Sequence, residues 1–248
     1  MTDRSKRNQH ISRQFNEELT DIRSRVLHMG GLVEQQISDA LRALRDLDTG
    51  LAERVTQGDY RVNALEVAID EECTAILARR QPAASDLRMI VAVIKTIADL
   101  ERIGDEAERL GRMALRLAEE GDRHHPINLG IQSLGTQCLR MVHDALDAFA
   151  RLDAESAIAV VRQDATVDQQ YDVLLRQLVT YMTDDPRLIG AAMDGIWSIR
   201  SLERIGDHAR NIGEYIIYLV HGRDIRHTQR SVPGDGSDRS VHGDSTVG

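Results

Sequence analysis

Leu100-Glu101-Arg102-Ile103-Gly104-Asp105 returns letter for letter as Leu202-Glu203-Arg204-Ile205-Gly206-Asp207. Six identical residues in matching surroundings mark an internal duplication, and a duplication decides the fold before any single element does. The surroundings repeat as well. Asp59-x-x-Val62-Asn63 is answered by Asp164-x-x-Val167-Asp168. The duplicated unit is helical. Pro82, Pro126 and Pro186 each precede a long helix-compatible stretch, where a missing N–H costs nothing. Gly50, Gly58, Gly121 and Gly222 sit near the ends or breaks of such stretches. The pattern predicts helices over 10–48, 51–80, 84–119, 127–151, 154–182 and 187–221. Nothing alternates with period two over a strand's length.

The expected architecture is therefore all-α: two tandem, symmetry-related three-helix bundles. The first is assigned to residues 1–121 and the second to 122–221. Residues 222–248 are rich in Gly, Ser and Asp and poor in large apolar side chains, so they are expected to form a disordered C-terminal tail.

Composition excludes several classes. Aromatic residues are 3% of the 248-residue chain and charged residues 29%, a balance foreign to a β-sandwich. The formal net charge is −9, from 31 Lys plus Arg against 40 Asp plus Glu, which argues against a general nucleic-acid binder. Cys73 and Cys138 form no zinc pattern and no disulfide framework, and both are expected in the core. The N-terminus lacks a signal-peptide core, and Met89–Leu100, the most apolar segment, is short and interrupted by Lys95. A cytoplasmic protein is expected. There is no P-loop and no dinucleotide-binding glycine pattern.

On a helical wheel the motif acids fall on apolar faces. Glu101 and Asp105 share an arc with Leu87, Ile90, Ile94 and Ile97; Glu203 and Asp207 share one with Ile189, Met193, Ile196, Asn211 and Glu214. Asp59, Asn63, Glu66 and Asp70 stack in one column, and Asp164 and Asp168 lie with Val160, Tyr171 and Leu175. In each half, two helices thus aim acids at the bundle interior. Converging carboxylates in a partly dry site require protonation, arginine or a polyvalent cation. Arg200 lies on the acidic arc of the second half; Arg88, Arg102 and Arg109 in the first are expected to point elsewhere. An oxygen-only donor set favours Mg, Ca, Mn or Fe before zinc.

Several segments carry a resemblance to a known family: Val62-Asn63-Ala64-Leu65-Glu66-Val67-Ala68-Ile69-Asp70-Glu71-Glu72-Cys73, both copies of the six-residue motif, and Asn211-Ile212-Gly213-Glu214-Tyr215-Ile216-Ile217-Tyr218-Leu219-Val220. With Ala78-Arg79-Arg80-Gln81-Pro82, they resemble the PhoU family over roughly residues 5–227. The resemblance implies a multinuclear metal cluster, iron or zinc with manganese or magnesium possible, on each bundle. By residue, it points to Glu101 and Asp105 with Asp59, Asn63 and Glu66, and to Glu203 and Asp207 with Asp164 and Asp168. Asn63 stands where the second half has Asp168, which implies one fewer charge at the first site and either weaker affinity or fewer ions, unless Glu66 and Asp70 compensate. It further implies a negative regulator of phosphate uptake and of the phosphate-starvation response. Such a regulator works between the ATPase subunit of the Pst transporter and the PhoR sensor kinase, as a homodimer, without catalysis, and reaches the membrane only through its partners.

Two other readings stay open on the residues. A di-iron carboxylate enzyme or metal-handling protein would use Glu-x-x-His, and no histidine here lies three residues after a glutamate. A purely structural helical adaptor would spend the same acids on buried salt bridges.

Overall fold

The structure is a computed structural model that describes residues 2–58, 60–80, 82–120 and 127–222. Its elements are α1 (Thr2–Asp46), α2 (Thr49–Gly58), α3 (Tyr60–Arg80), α4 (Ala84–Glu120), α5 (Ile127–Arg151), α6 (Ala154–Asp184) and α7 (Ile189–His221). A single 3-10 turn at Pro186–Leu188 precedes α7. No strand occurs among the described residues. One expected helix, 51–80, is described as two, α2 and α3, on either side of Asp59, which lies outside the described residues. Gly58, a poor helix former, is the last residue of α2. The expected boundary between bundles, at residues 121 and 122, and the tail beyond Gly222 also lie outside the described residues.

Each bundle opens with the same helical hairpin. Leu47 and Leu152 take positive φ, 52° and 54°, and turn the chain back on itself. The following aspartates then cap the next helix. Asp48 Oδ1 accepts from the Leu51 amide at 2.9 Å. Asp153 Oδ1 accepts from the amides of Glu155 and Ser156 at 3.0 and 3.2 Å. The Asp48 and Asp153 amides donate back to Ala43 O and Ala148 O. A non-glycine residue in the left-handed region costs roughly 1 kcal/mol or more, a strain the cap and the packing of both helices offset.

The central layer is made of α1, α4, α5 and α7, with α2 and α3 outside one end and α6 outside the other. The symmetry between the halves is visible in reciprocal contacts of α1 with α5. Leu41 sits over Gly135, and Leu146 sits over Gly30. A Cβ at either glycine would overlap the leucine, so both glycines serve close helix approach. Gln132 Nε2 donates to Leu41 O at 2.8 Å and Arg23 Nη2 to Ala150 O at 2.7 Å along the same contact.

The apolar stripes of all these helices merge into one core, from Ile22, Val26 and Met29 of α1 through Ile103 of α4 and Phe149 of α5 to Ile205 and Ile212 of α7. At about 25 cal/mol per Å² of apolar surface removed from water, a shared core of this kind is the main source of stability. Cys73 and Cys138 are buried in it, and burial pushes both thiols up to about 12. The arcs drawn on the wheel are not apolar core throughout. Leu87 of α4 and Ile189 and Met193 of α7 are exposed, while Ile90, Ala192 and Asp194 in the same early turns are buried, so the core covers a different side of these turns.

Candidate functional site

Each acid cluster lies between an outer helix and a central one, α3 with α4 in the first bundle and α6 with α7 in the second. The helix periodicity predicted from sequence accounts for this: acids at i and i+4 share one face, while the apolar residues between them, two positions away, bury the opposite face in the core. Ile103, Leu202 and Ile205 are fully buried. Gly206 lets α7 approach α6 closely, with Val167 Cγ1 only 3.1 Å from where a Cβ would stand. Tight packing at this glycine accounts for its presence inside the motif.

In the first bundle Glu101 and Asp105 of α4 are partly buried, as are Asn63 and Glu66 of α3. Asp59 lies outside the described residues, and Asp70 is exposed. Glu66 and Asp105 are brought together. Burial first, then the charges of Asp70 and Asp105, hold the Glu66 carboxyl above the usual range, with Arg102 opposing. Arg102 therefore bears on the cluster, contrary to expectation. Arg109 does not: it pairs with Glu106 at 2.7 Å.

In the second bundle Asp164 is buried at 6% exposure, Glu203 and Asp207 are partly buried, and Asp168 is exposed. The acids meet. Burial foremost, then Asp207, holds the Glu203 carboxyl high, with further repulsion from Asp168 and Asp164 and opposition from Arg200. Burial likewise raises Asp164, against the pull of Arg210. Arg200 Nη1 lies 3.1 Å from Glu203 Oε1, as its place on the wheel suggested.

The residue that sequence reasoning missed is Arg210. Its Nη1 donates to Asp164 Oδ2 across the helix interface and lies 3.0 Å from Asp207 Oδ1, while Nε is 3.9 Å from Glu214 Oε1. Burial pulls the guanidinium pKa down, but the three carboxylates outweigh it and hold it above its ordinary value. The signal was available, since Arg210 stands seven residues after Glu203 and so on the same face. Asn211, assigned to that face, instead donates to Asp99 of α4 at 3.3 Å.

Whether these residues suit a metal depends on the bundle. The donors are carboxylate oxygens throughout, suited to hard or borderline cations. Asp164 Oδ1 and Glu203 Oε2 are buried without a hydrogen-bond partner, a state that calls for a cation or a proton. Among the described residues, however, no group of three or more His, Cys, Asp or Glu side chains is arranged as a metal-ligand set. In the second bundle a guanidinium already stands between Asp164 and Asp207.

Comparison with known proteins places this geometry. The PhoU domain is matched twice, over residues 26–114 and 131–216, one match to each half. The phosphate-specific transport system accessory protein PhoU of Escherichia coli is 49% identical over 236 residues, covering 95% of each chain. The crystal structure of PhoU from Pseudomonas aeruginosa superposes with a TM-score of 0.82 at 55% identity, over 84% of this chain and 100% of that one. That of the phosphate transport system regulatory protein PhoU from Streptococcus pneumoniae gives 0.79 at 31% identity, over 85% and 98%. With both repeats matched and relatives aligned nearly end to end, the chain belongs to the PhoU family.

Proposed function

We propose that this chain is a cytoplasmic accessory regulator of phosphate-specific transport, which restrains phosphate uptake and the starvation response by docking between the Pst transporter's ATPase subunit and the PhoR sensor kinase. The observation that carries this is the 49% identity to the E. coli accessory protein across 95% of both chains. Docking rather than turnover suits the residues, whose acids go to two clusters facing the bundle interiors and not to a nucleophile–base pair. No helix among the described residues is long and apolar enough to cross a membrane, so contact with the membrane is assigned to the transporter. On the outer surface, Ile189, Met193 and Trp197 form an exposed stripe at four-residue spacing on α7.

In the first bundle the acids are read as a cation site. Glu101, Asp105, Glu66, Asn63 and Asp59 would hold a metal cluster of iron or zinc, with manganese or magnesium as alternatives. When bound, such a cation supplies positive charge that lets the acids ionise together. Because it binds the native state alone, it stabilises the bundle in proportion to occupancy. A homodimer completes the proposal.

The test is a deletion strain complemented with the wild-type chain, with alkaline phosphatase output read in high phosphate. Wild type should restore repression. Normal repression in the uncomplemented deletion strain would sink the regulator assignment.

A further inference from the structure

The two acid clusters are not provisioned alike. Alignment of the repeats on their shared six residues sets Glu108 opposite Arg210 and Arg112 opposite Glu214. In the first repeat the acid comes first, and Arg112, a turn farther from the motif, pairs back to Glu108 at 2.8 Å along α4. In the second repeat the order is reversed. The arginine stands three residues after Asp207, near enough to reach α6.

We propose that Arg210 is the resident cation of the second cluster: its guanidinium takes the place of a metal ion between Asp164 and Asp207, and metal loading of the chain is confined to the first bundle. The inference rests on the reading of the first cluster as a cation site. It also departs from the family-based expectation of a cluster on each bundle, because the residues present in the second do not suit one.

The physical grounds are these. A guanidinium is charged at every physiological pH and cannot yield a proton to make way for a metal. A divalent cation entering beside it would meet a like charge in a partly dry site. Displacing it would break the contact with Asp164, which is 6% exposed. Stripping one partner from a buried ion pair is strongly unfavourable. Arg210 also neutralises incompletely, since Asp164 Oδ1 and Glu203 Oε2 stay buried without a partner. The cluster without its arginine is therefore a latent divalent site. The first repeat has an acid, Glu108, at the corresponding position, and so lacks this internal competitor there.

The experiment loads the purified full chain with Zn²⁺ or Mn²⁺ alone, removes free ion, and measures bound metal by mass spectrometry alongside thermal unfolding. The variants are Arg210→Gln, Arg210→Lys, Glu101→Gln/Asp105→Asn, Glu203→Gln/Asp207→Asn, and Arg210→Gln combined with the last pair. Wild-type stoichiometry should survive Glu203→Gln/Asp207→Asn and be lost in Glu101→Gln/Asp105→Asn. Arg210→Gln should gain at least one equivalent, and lose it again in the triple variant. Its metal-free form should melt below wild type and be raised by added metal more than wild type is. Arg210→Lys keeps the charge and should exclude metal even if Arg210→Gln fails to fold. Loss of wild-type metal in Glu203→Gln/Asp207→Asn overturns the inference, as does a folded Arg210→Gln, or failing that an Arg210→Lys, that contradicts these outcomes. If wild type binds no metal while Arg210→Gln does, the first-bundle reading fails and the role of Arg210 stands.

Discussion

Nδ1 of His208 lies 2.6 Å from Oδ1 of Asp99, and through this contact α7 of the second repeat is tied to α4 of the first. It is one rung among several on an antiparallel seam. Asn211 Nδ2 donates to the same oxygen at 3.3 Å. Arg204 Nη1 lies 3.0 Å from Glu106 Oε1, and Arg116 Nη1 3.3 Å from Asp194 Oδ1. At the far end Lys95 Nζ sits 5.3 Å above the Tyr215 ring. The polar rungs fix the register of two helices whose apolar faces alone would tolerate sliding.

Asp99 is buried and serves two donors, so its removal leaves both His208 and Asn211 without their acceptor. Asp99→Ala should lower the unfolding free energy by roughly 2 kcal/mol. Asp99→Ala/His208→Ala should lose less than the sum of the single variants, because the second change removes a stranded group. Urea titrations of the four proteins measure the coupling. Strict additivity would mean that the short contact contributes nothing of its own.

Much of this was legible in sequence. The duplicated six residues and the three prolines sufficed for an all-helical, two-repeat fold, because helix starts and periodicity are local properties. The wheel placed Glu203 and Asp164 together because two apolar faces must meet. What it missed needed neighbours. Ile189 and Met193 read as core, yet they are exposed beside buried Ala192 and Asp194, since periodicity cannot say which stripe of a helix its neighbours cover. Asn211 lies at the rim of its arc, and the nearer partner on α4 decides its direction. Arg210 lies on the acidic face, but its partner Asp164 belongs to α6, a contact that spacing along one helix does not reveal.

Gly111 and Gly213 occupy equivalent places in the two repeats, and each faces a backbone carbonyl of the adjacent helix. A Cβ at Gly213 would stand 3.1 Å from Ala157 O, and one at Gly111 3.3 Å from Ala52 O. Backbone oxygens cannot swing aside as a leucine tip can. Gly213→Ala should therefore be net destabilising by about 1 kcal/mol, overpacking outweighing the gain in helix propensity. Gly31 faces open space on the exposed side of α1, so Gly31→Ala should stabilise by about 0.5–1 kcal/mol. Opposite signs in thermal unfolding are the expected outcome; a shared sign would contradict the close-approach account.

Glu18 of α1 takes a two-point contact from Arg80 of α3, at 2.9 Å from Nη2 and 3.3 Å from Nε. That hydrogen bonding holds the Glu18 carboxyl below the usual glutamate range. A carboxyl lowered in the native state adds stability above its unfolded pKa, and that contribution is lost as pH falls through the folded value. Glu18→Gln should be less stable than wild type near neutrality, and the two denaturation midpoints should converge in acid. A gap of constant size across that range would show that the contact does not depend on the glutamate's charge.

Cys73 belongs to the first bundle and Cys138 to the second, and each is a thiol that native burial renders inert. They therefore report on the opening of their own halves. The core is continuous through both bundles, and the α4–α7 seam adds its ionic rungs, so neither half can open without exposing the other's packed face. Two domains joined by so extensive a contact should unfold as one cooperative unit. Single-thiol forms, Cys73→Ala and Cys138→Ala, can be pulsed with a thiol reagent across a urea series. Both remaining thiols should become reactive at a common midpoint once the stability of each variant is matched by its helical signal. Weakening the seam by Asp99→Ala/Glu106→Ala should draw the two midpoints apart. If they are already separate in the parent proteins, the halves are independent domains and the polar seam only orients them.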